Sequence, residues 1–174
     1  MKSAEVYAQL RSELAPWFKA AGFKRAKGLL GWARPHNGAF VVVWCQISQD
    51  GWDSYAGSKF VVEFQRSPEP VVGLHADRRR RLVSFLTAEG REEVRAIQNS
   101  VIADLRQPPK AHPTLQISEQ IADWYLGQFK SIEKPYPECH DVWFRYSSPE
   151  HVASWARYLL RNLSMCVAAV ESWA

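Results

Sequence analysis

An α+β fold, with an antiparallel sheet of about four strands packed with amphipathic helices, is what the sequence predicts. Three observations carry that expectation. Residues 28–65 hold three consecutive strand-like runs, the first two joined by Asn37-Gly38, the dipeptide of a tight hairpin. Before and after this block, apolar residues recur at helical spacing. The composition, 47% apolar and 23% charged, is that of a chain that folds around a core and not of a disordered one. Consecutive strands joined by a tight turn pair antiparallel, and helices kept apart from them give the α+β class.

The expected element order is α-β-β-β-α-α-α-β-α. Residues 4–21 form the first helix: Ser3 can cap it, and Val6, Leu10, Leu14, Trp17 and Ala21 share one stripe before Gly22 stops it. Pro16 removes the hydrogen bond to the Ser12 carbonyl, which predicts a kink or two short helices. Residues 28–34 make the first strand, and Arg34-Pro35-His36-Asn37-Gly38 turns the chain. Residues 39–47 are apolar on both alternating faces, as in a central strand covered on both sides. Residues 58–65 alternate, with Phe60, Val62 and Phe64 inward and Lys59, Glu63 and Gln65 outward.

Past a turn-rich stretch, residues 78–86 read as a short helix whose first turn is Arg78-Arg79-Arg80-Arg81. Thr87 caps a longer helix to Leu105, with Glu89, Glu92 and Glu93 at its acidic start and Val94, Ile97, Val101 and Leu105 as its buried stripe. Residues 107–116 are rich in proline and read as an extended connector within one domain spanning 1–174. A helix at 119–131, capped by Ser118, and a strand from Asp141 to Ser147 follow. Ser148-Pro149-Glu150 is a cap, a first-turn proline and an acid, so it starts the last helix. Val152, Trp155, Leu159, Leu163, Cys166, Val170 and Trp173 form one face of that helix to the chain end.

A helix closing on Gly22-Phe23-Lys24, a hairpin, the Trp44–Gln46 segment and a Phe-rich third strand resemble the bacterial family called domain of unknown function 4304. The resemblance covers about residues 4–66. It implies the fold and carries no catalytic residue across.

Composition also bounds the function. A chain of 174 residues buries a core without needing disulfides or metal. Cys45, Cys139 and Cys166 are odd in number, with no CxxC and no zinc-ligand spacing, so reduced thiols and a cytoplasmic location are expected. The opening MKSAEVYAQLRSEL has no signal-peptide apolar core, and no apolar run approaches the ~20 residues of a membrane span. The formal charge is +4, but it is uneven. Residues 1–48 hold seven Lys and Arg against Glu5 and Glu13, and the remainder is nearly balanced. Eight tryptophans predict an aromatic core, with one or two left to line a surface.

Several groupings can carry chemistry. At a helix start Arg78, Arg79, Arg80 and Arg81 would oppose the macrodipole, which calls for compensation by nearby Asp77, Glu89 and Glu92, by a phosphate or by an acidic partner. Lys24, Arg25, Lys27 and Arg34 surround Trp32, an arrangement that suits either a solvated sheet edge or single-stranded nucleic acid. Trp52 and Tyr55 stand among small polar residues, the composition of a recognition loop, unless Trp52 folds back on the sheet. Glu138-Cys139-His140-Asp141 with His151 gathers reactive types, yet neighbours on a strand alternate in direction and no base is placed beside the thiol. His75-x-Asp77 stands without partners, and no phosphate loop, dinucleotide fingerprint or zinc-protease motif occurs. The expectation is a non-catalytic module that binds another protein, a neutralising or immunity-type partner for instance, with no cofactor or metal. Nucleic-acid or phosphate binding through the basic patches is the first alternative, and an enzyme of unfamiliar type the second.

Overall fold

The structure, a computed structural model, describes residues 1–49, 51–52, 57–73, 79–105 and 142–173. The connector at 107–116 and the helix expected at 119–131 lie outside the described residues.

The first helix, α1 (Ser3–Ala20), is one continuous element despite Pro16. Both Pro16 and Ser12 are exposed, so water can satisfy the carbonyl that the proline leaves without a partner. Its start is set by Lys2 and not by Ser3: the Lys2 N–H donates to the Glu5 carboxylate at 2.7 Å. The buried stripe is Val6, Leu10, Leu14 and Phe18, so the expected Trp17 gives way to Phe18, and Trp17 is half-buried. The end is a Schellman motif. Phe23 N–H bonds Phe18 O, Gly22 N–H bonds Lys19 O, and Gly22 adopts φ +78°. The Phe18 and Phe23 rings meet edge to face at 5.2 Å, the hydrophobic contact that goes with this motif.

Strands β1 (Lys24–Arg25), β2 (Leu30–His36), β3 (Ala39–Ile47) and β4 (Ser58–Ser67) follow in spatial as well as chain order. All pair antiparallel. The first hairpin is tighter than expected, because β2 runs on through His36 and pairs it with Ala39. Asn37 and Gly38 alone make the turn, both at positive φ (45° and 73°), which is the two-residue geometry that matches strand twist. The central strand is as expected: Val41 through Cys45 are all 1% exposed or less.

Beyond β4 the expected order changes. Arg79–Arg81 is not a helix start but strand β5, paired antiparallel with Glu63–Gln65 of β4. Only then does a short 3-10 turn form, Leu82–Phe85. Next come α2 (Ala88–Ala103), β6 (Phe144–Tyr146) and α3 (Pro149–Glu171). β6 pairs with Ser58–Phe60, so it and β5 share the far edge of β4 end to end. The described sheet therefore has six strands and not four. Gly57 sets the approach to β6. It sits at φ +64°, and a Cβ there would lie 2.2 Å from the Tyr146 carbonyl oxygen.

The helices α1 and α3 pack on one face of the sheet, with Trp32, Val43, Phe60, Phe64 and Phe144 beneath them in a single core. Thr87 caps α2 by accepting from Gly90 N–H, and Ser148 caps α3 by accepting from His151 N–H. Of the expected α3 stripe only Trp173 is not fully buried. In α2, Gln98 joins Val94 and Val101 in the buried set, while Ile97 is half-buried.

The second face of the sheet is not open to water, which overturns one expectation. Glu63 and Gln65 are 1% and 0% exposed although they alternate with the core residues of β4. Ala26, Ala33, Val42 and Trp44 form a smaller apolar cluster on that face, joined by Phe40 and Val72. Val72 reaches it because the chain after β4 crosses back, with Val72 N–H bonded to Lys27 O at 3.0 Å. Gly31 makes room: a Cβ there would come within 2.7 Å of Val72 Cγ2. No described helix is long and apolar enough to cross a membrane.

Candidate functional site

The arginine run is the first test of the sequence reading. On a strand, alternate side chains share a face, so the register places Arg79 and Arg81 on the Glu63 side. Arg79 Nε lies 2.8 Å from Glu63 Oε2, and Arg81 Nε lies 3.3 Å from Oε1. A single buried carboxylate thus holds two guanidinium groups. Aromatic faces complete the setting, with Arg79 5.9 Å from the Trp44 ring centroid and Arg81 5.1 Å from that of Trp143. Arg80 points the other way, is exposed, and donates to the Arg79 carbonyl. Arg78 lies outside the described residues. The compensation the sequence demanded comes for Arg79 and Arg81 from Glu63, a residue that reading had placed in solvent.

Arg34 is likewise committed. It donates to the Ala21 carbonyl at 2.6 Å, pairs with Glu171, and lies 4.7 Å from the Phe23 ring centroid. It therefore ties β2 to the ends of α1 and α3. Lys24, Arg25 and Lys27 are exposed on and just after β1.

Arg25 belongs to a different arrangement, a groove of about 780 Å³ between α1 and the β1–β2 end of the sheet. Its helix wall is the stripe of Ala8, Ser12, Ala15 and Pro16. Its other wall is Phe23 and Trp32, and Arg11, Lys19 and Arg25 stand around it. The walls present mostly carbon, and the rim is cationic. Arg25 is held in place by donating to the Gly31 carbonyl. Among the described residues, no carboxylate lies within 4 Å of Arg11, Lys19 or Arg25, unlike Arg34 of β2 and Arg79 and Arg81 of β5. Burial first, then the adjacent Arg11 charge, lowers the Arg25 pKa from its ordinary value. Arg25, held by Gly31, thus has the exposed Arg11 as a like-charged neighbour beside apolar walls.

The sequence reading had named Arg25 and Trp32 together but missed Arg11 and Lys19. Their signal was present, since Ala8, Ser12, Ala15 and Lys19 repeat at three or four residues on a stripe distinct from the core one. Trp52, the other surface candidate, is 43% exposed; Tyr55 lies outside the described residues. The segment Glu138-Cys139-His140-Asp141 and the His75-x-Asp77 pair also lie outside them.

His151 is 6% exposed, at the start of α3. Its Nε2 lies 2.8 Å from Asp104 Oδ2, and its Nδ1 accepts from Ser147 N–H at 3.2 Å, with Ser147 Oγ 3.1 Å away. Serine, histidine and aspartate in a chain invite a nucleophilic reading. The amide N–H, however, occupies the lone pair that a general base would need. The group is better understood as a tie between the end of α2 and the start of α3. Among the described residues, no three His, Cys, Asp or Glu side chains gather as a metal site would require.

Cys45 and Cys166 are free and buried. Burial pushes both thiols up to about 12, so neither supplies a thiolate at neutral pH. In a Cys139→Ser background, Ellman's reagent at pH 8 should therefore find no reactive thiol until denaturant is added. Rapid labelling of the folded protein would contradict the burial of Cys45 and Cys166. The sign of the linkage also follows. Folded pKa values raised above the ordinary 9.0 give a contribution complete below about pH 9 and lost as pH rises from there toward 12.

No protein-family model, curated protein or solved structure matches this chain.

Proposed function

We propose that the protein is a non-catalytic binding module that recognises another protein through the groove between α1 and the β1–β2 end of the sheet. One observation carries this reading: three cations with no carboxylate within 4 Å among the described residues surround walls that are largely apolar. Apolar walls with a charged rim have the composition of a protein-recognition surface, where a buried centre supplies affinity and rim charges supply steering. Trp52, exposed on its loop, is a second contact of the same character.

Nucleic acid fits the groove less well. Base recognition on single strands needs an open aromatic face. Trp32 is 5% exposed and is stacked against Phe18, with centroids 4.1 Å apart and planes 9° from parallel. Its π-surface is already used within the core.

The test is a photo-reactive amino acid placed at Ala8 or Ser12, both exposed on the helix wall. Irradiation in cells should join the protein to one defined polypeptide, and Arg11→Glu/Lys19→Glu should abolish the adduct. Adducts with nucleic acid only, or protein adducts indifferent to the charge reversal, would overturn the reading.

A further inference from the structure

We infer that the groove takes an acidic segment of the partner chain, one in which an apolar side chain lies between two carboxylates about 12 Å apart. This deepens the binding-module reading above and rests on it. Three features of the groove define the segment.

The first is charge. Arg34, Arg79, Arg81, Arg95 and Arg161 each have a carboxylate partner within the protein. Among the described residues Arg11, Lys19 and Arg25 do not, although Glu5 and Glu13 share α1 with two of them; Arg80 and Arg157 also lack one, but these three stand together around one groove. Arg25 is fixed by its bond to the Gly31 carbonyl, so it cannot turn away from Arg11 without losing that bond. A ligand carboxylate placed between them would relieve the repulsion and gain a charge-assisted hydrogen bond.

The second is spacing. Arg11 and Lys19 are eight residues apart on one helix, so at ~1.5 Å per residue their attachment points are about 12 Å apart. In an extended peptide, at ~3.3 Å per residue, two carboxylates about four residues apart cover that distance. The third is the lining between the two cations. Ser12, Ala15 and Pro16 are small, and Phe23 closes the other side, leaving an open apolar trough. A phosphate chain has nothing apolar to place there, whereas a leucine or phenylalanine of a peptide does.

A random-peptide library displayed on phage supplies the probe, since the partner's own sequence is not needed. Selection on the intact protein should enrich peptides with two Asp or Glu about four residues apart, separated by a large apolar residue. In fluorescence anisotropy, changing those acids to Gln should weaken an enriched peptide at least about tenfold, and so should changing the apolar residue to Ser. Affinity should fall as salt rises. Arg11 and Lys19 are both exposed, so Arg11→Glu/Lys19→Glu should keep the wild-type unfolding midpoint. That variant should lose the acidic peptide and gain the same peptide carrying Lys in place of the acids, which no misfolded protein would do. Three outcomes would overturn the inference: enrichment of basic or uncharged peptides, no enrichment at all, or binding indifferent to the reversal. If the groove still cross-links a protein in cells while acidic peptides fail, the inference falls and the binding-module reading stands. If a labelled oligonucleotide of single-stranded DNA binds in their place, with the same dependence on Arg11 and Lys19, both fall.

Discussion

Trp155→Ala should lower the unfolding free energy by about 3–5 kcal/mol. The side chain is fully buried in the second turn of α3, and its ring packs on Phe144 at 4.7 Å and edge to face on Tyr158 at 6.2 Å. Truncation leaves a cavity between helix and sheet, and it does a second kind of damage. Trp155 Nε1 donates to the Arg145 carbonyl at 2.7 Å, so the change orphans a buried acceptor on β6. Leu163→Ala, two turns further on, loses only packing and should cost about 2–5 kcal/mol. Arg157→Ala is the control. Its guanidinium is exposed and donates to Ser154 Oγ, so the cost should stay below about 0.5 kcal/mol. Urea titrations with a common m-value measure all three. An Arg157→Ala loss equal to that of Leu163→Ala would mean that α3 presents a different face to the sheet.

These helices were legible because their signals are local. Ser148-Pro149-Glu150 fixes the start of α3 through a hydroxyl and a ring already shaped for the first turn, and the apolar spacing fixes its phase. The Asn37-Gly38 turn is equally local, since both residues must adopt positive φ. The arginine run was not legible for the opposite reason. Four consecutive arginines carry no periodicity, and helix propensity ranks Arg high. What makes Arg79–Arg81 a strand is the ladder offered by β4 together with the carboxylate waiting at Glu63. That information lies 18 residues away in the chain for the Arg81–Glu63 pair. Helix α1 shows a mixed case. Its period was clear, but whether Trp17 or Phe18 turns inward depends on Trp32, against which Phe18 stacks.

The groove has the same lesson at the level of the site. Its β1 residues were visible as a basic cluster near Trp32, but clustering in sequence included Arg34, which the fold spends on Glu171 and the Ala21 carbonyl. Which cations remain uncompensated is a three-dimensional question. The answer adds Arg11 and Lys19 from a helix that sequence reading treated as scaffolding. Residue type alone could not separate the arginines that pair with carboxylates from those that do not, whereas the ion-pair geometry does.

Glu63→Ala should cost about 3 kcal/mol or more, because it strips a nearly inaccessible carboxylate from two guanidinium groups that converge on it. The two partners are not equivalent. Arg79 leaves 43% of its side chain in solvent and can turn outward, so water screens it. Arg81 is 25% exposed, beside Trp143, and has less freedom to escape. A double-mutant cycle should therefore give Glu63 and Arg81 a coupling of about 1–3 kcal/mol, and Glu63 and Arg79 less than about 1 kcal/mol. Glu63→Gln should fall between wild type and Glu63→Ala, since the amide keeps an acceptor but not the charge. Because the carboxylate is buried, raising salt should barely change these differences, unlike the peptide affinity proposed for the groove, which should fall with salt. The same variants test whether the β5 arginines serve the fold or the proposed ligand. If Arg79 and Arg81 serve the fold, Arg81→Ala should lower stability while leaving affinity for an enriched peptide within about twofold once the protein is folded. A near-zero cost for Glu63→Ala would instead mean that the arginines are held elsewhere, and peptide affinity that collapses with Arg81 would move the binding site from the groove to β5.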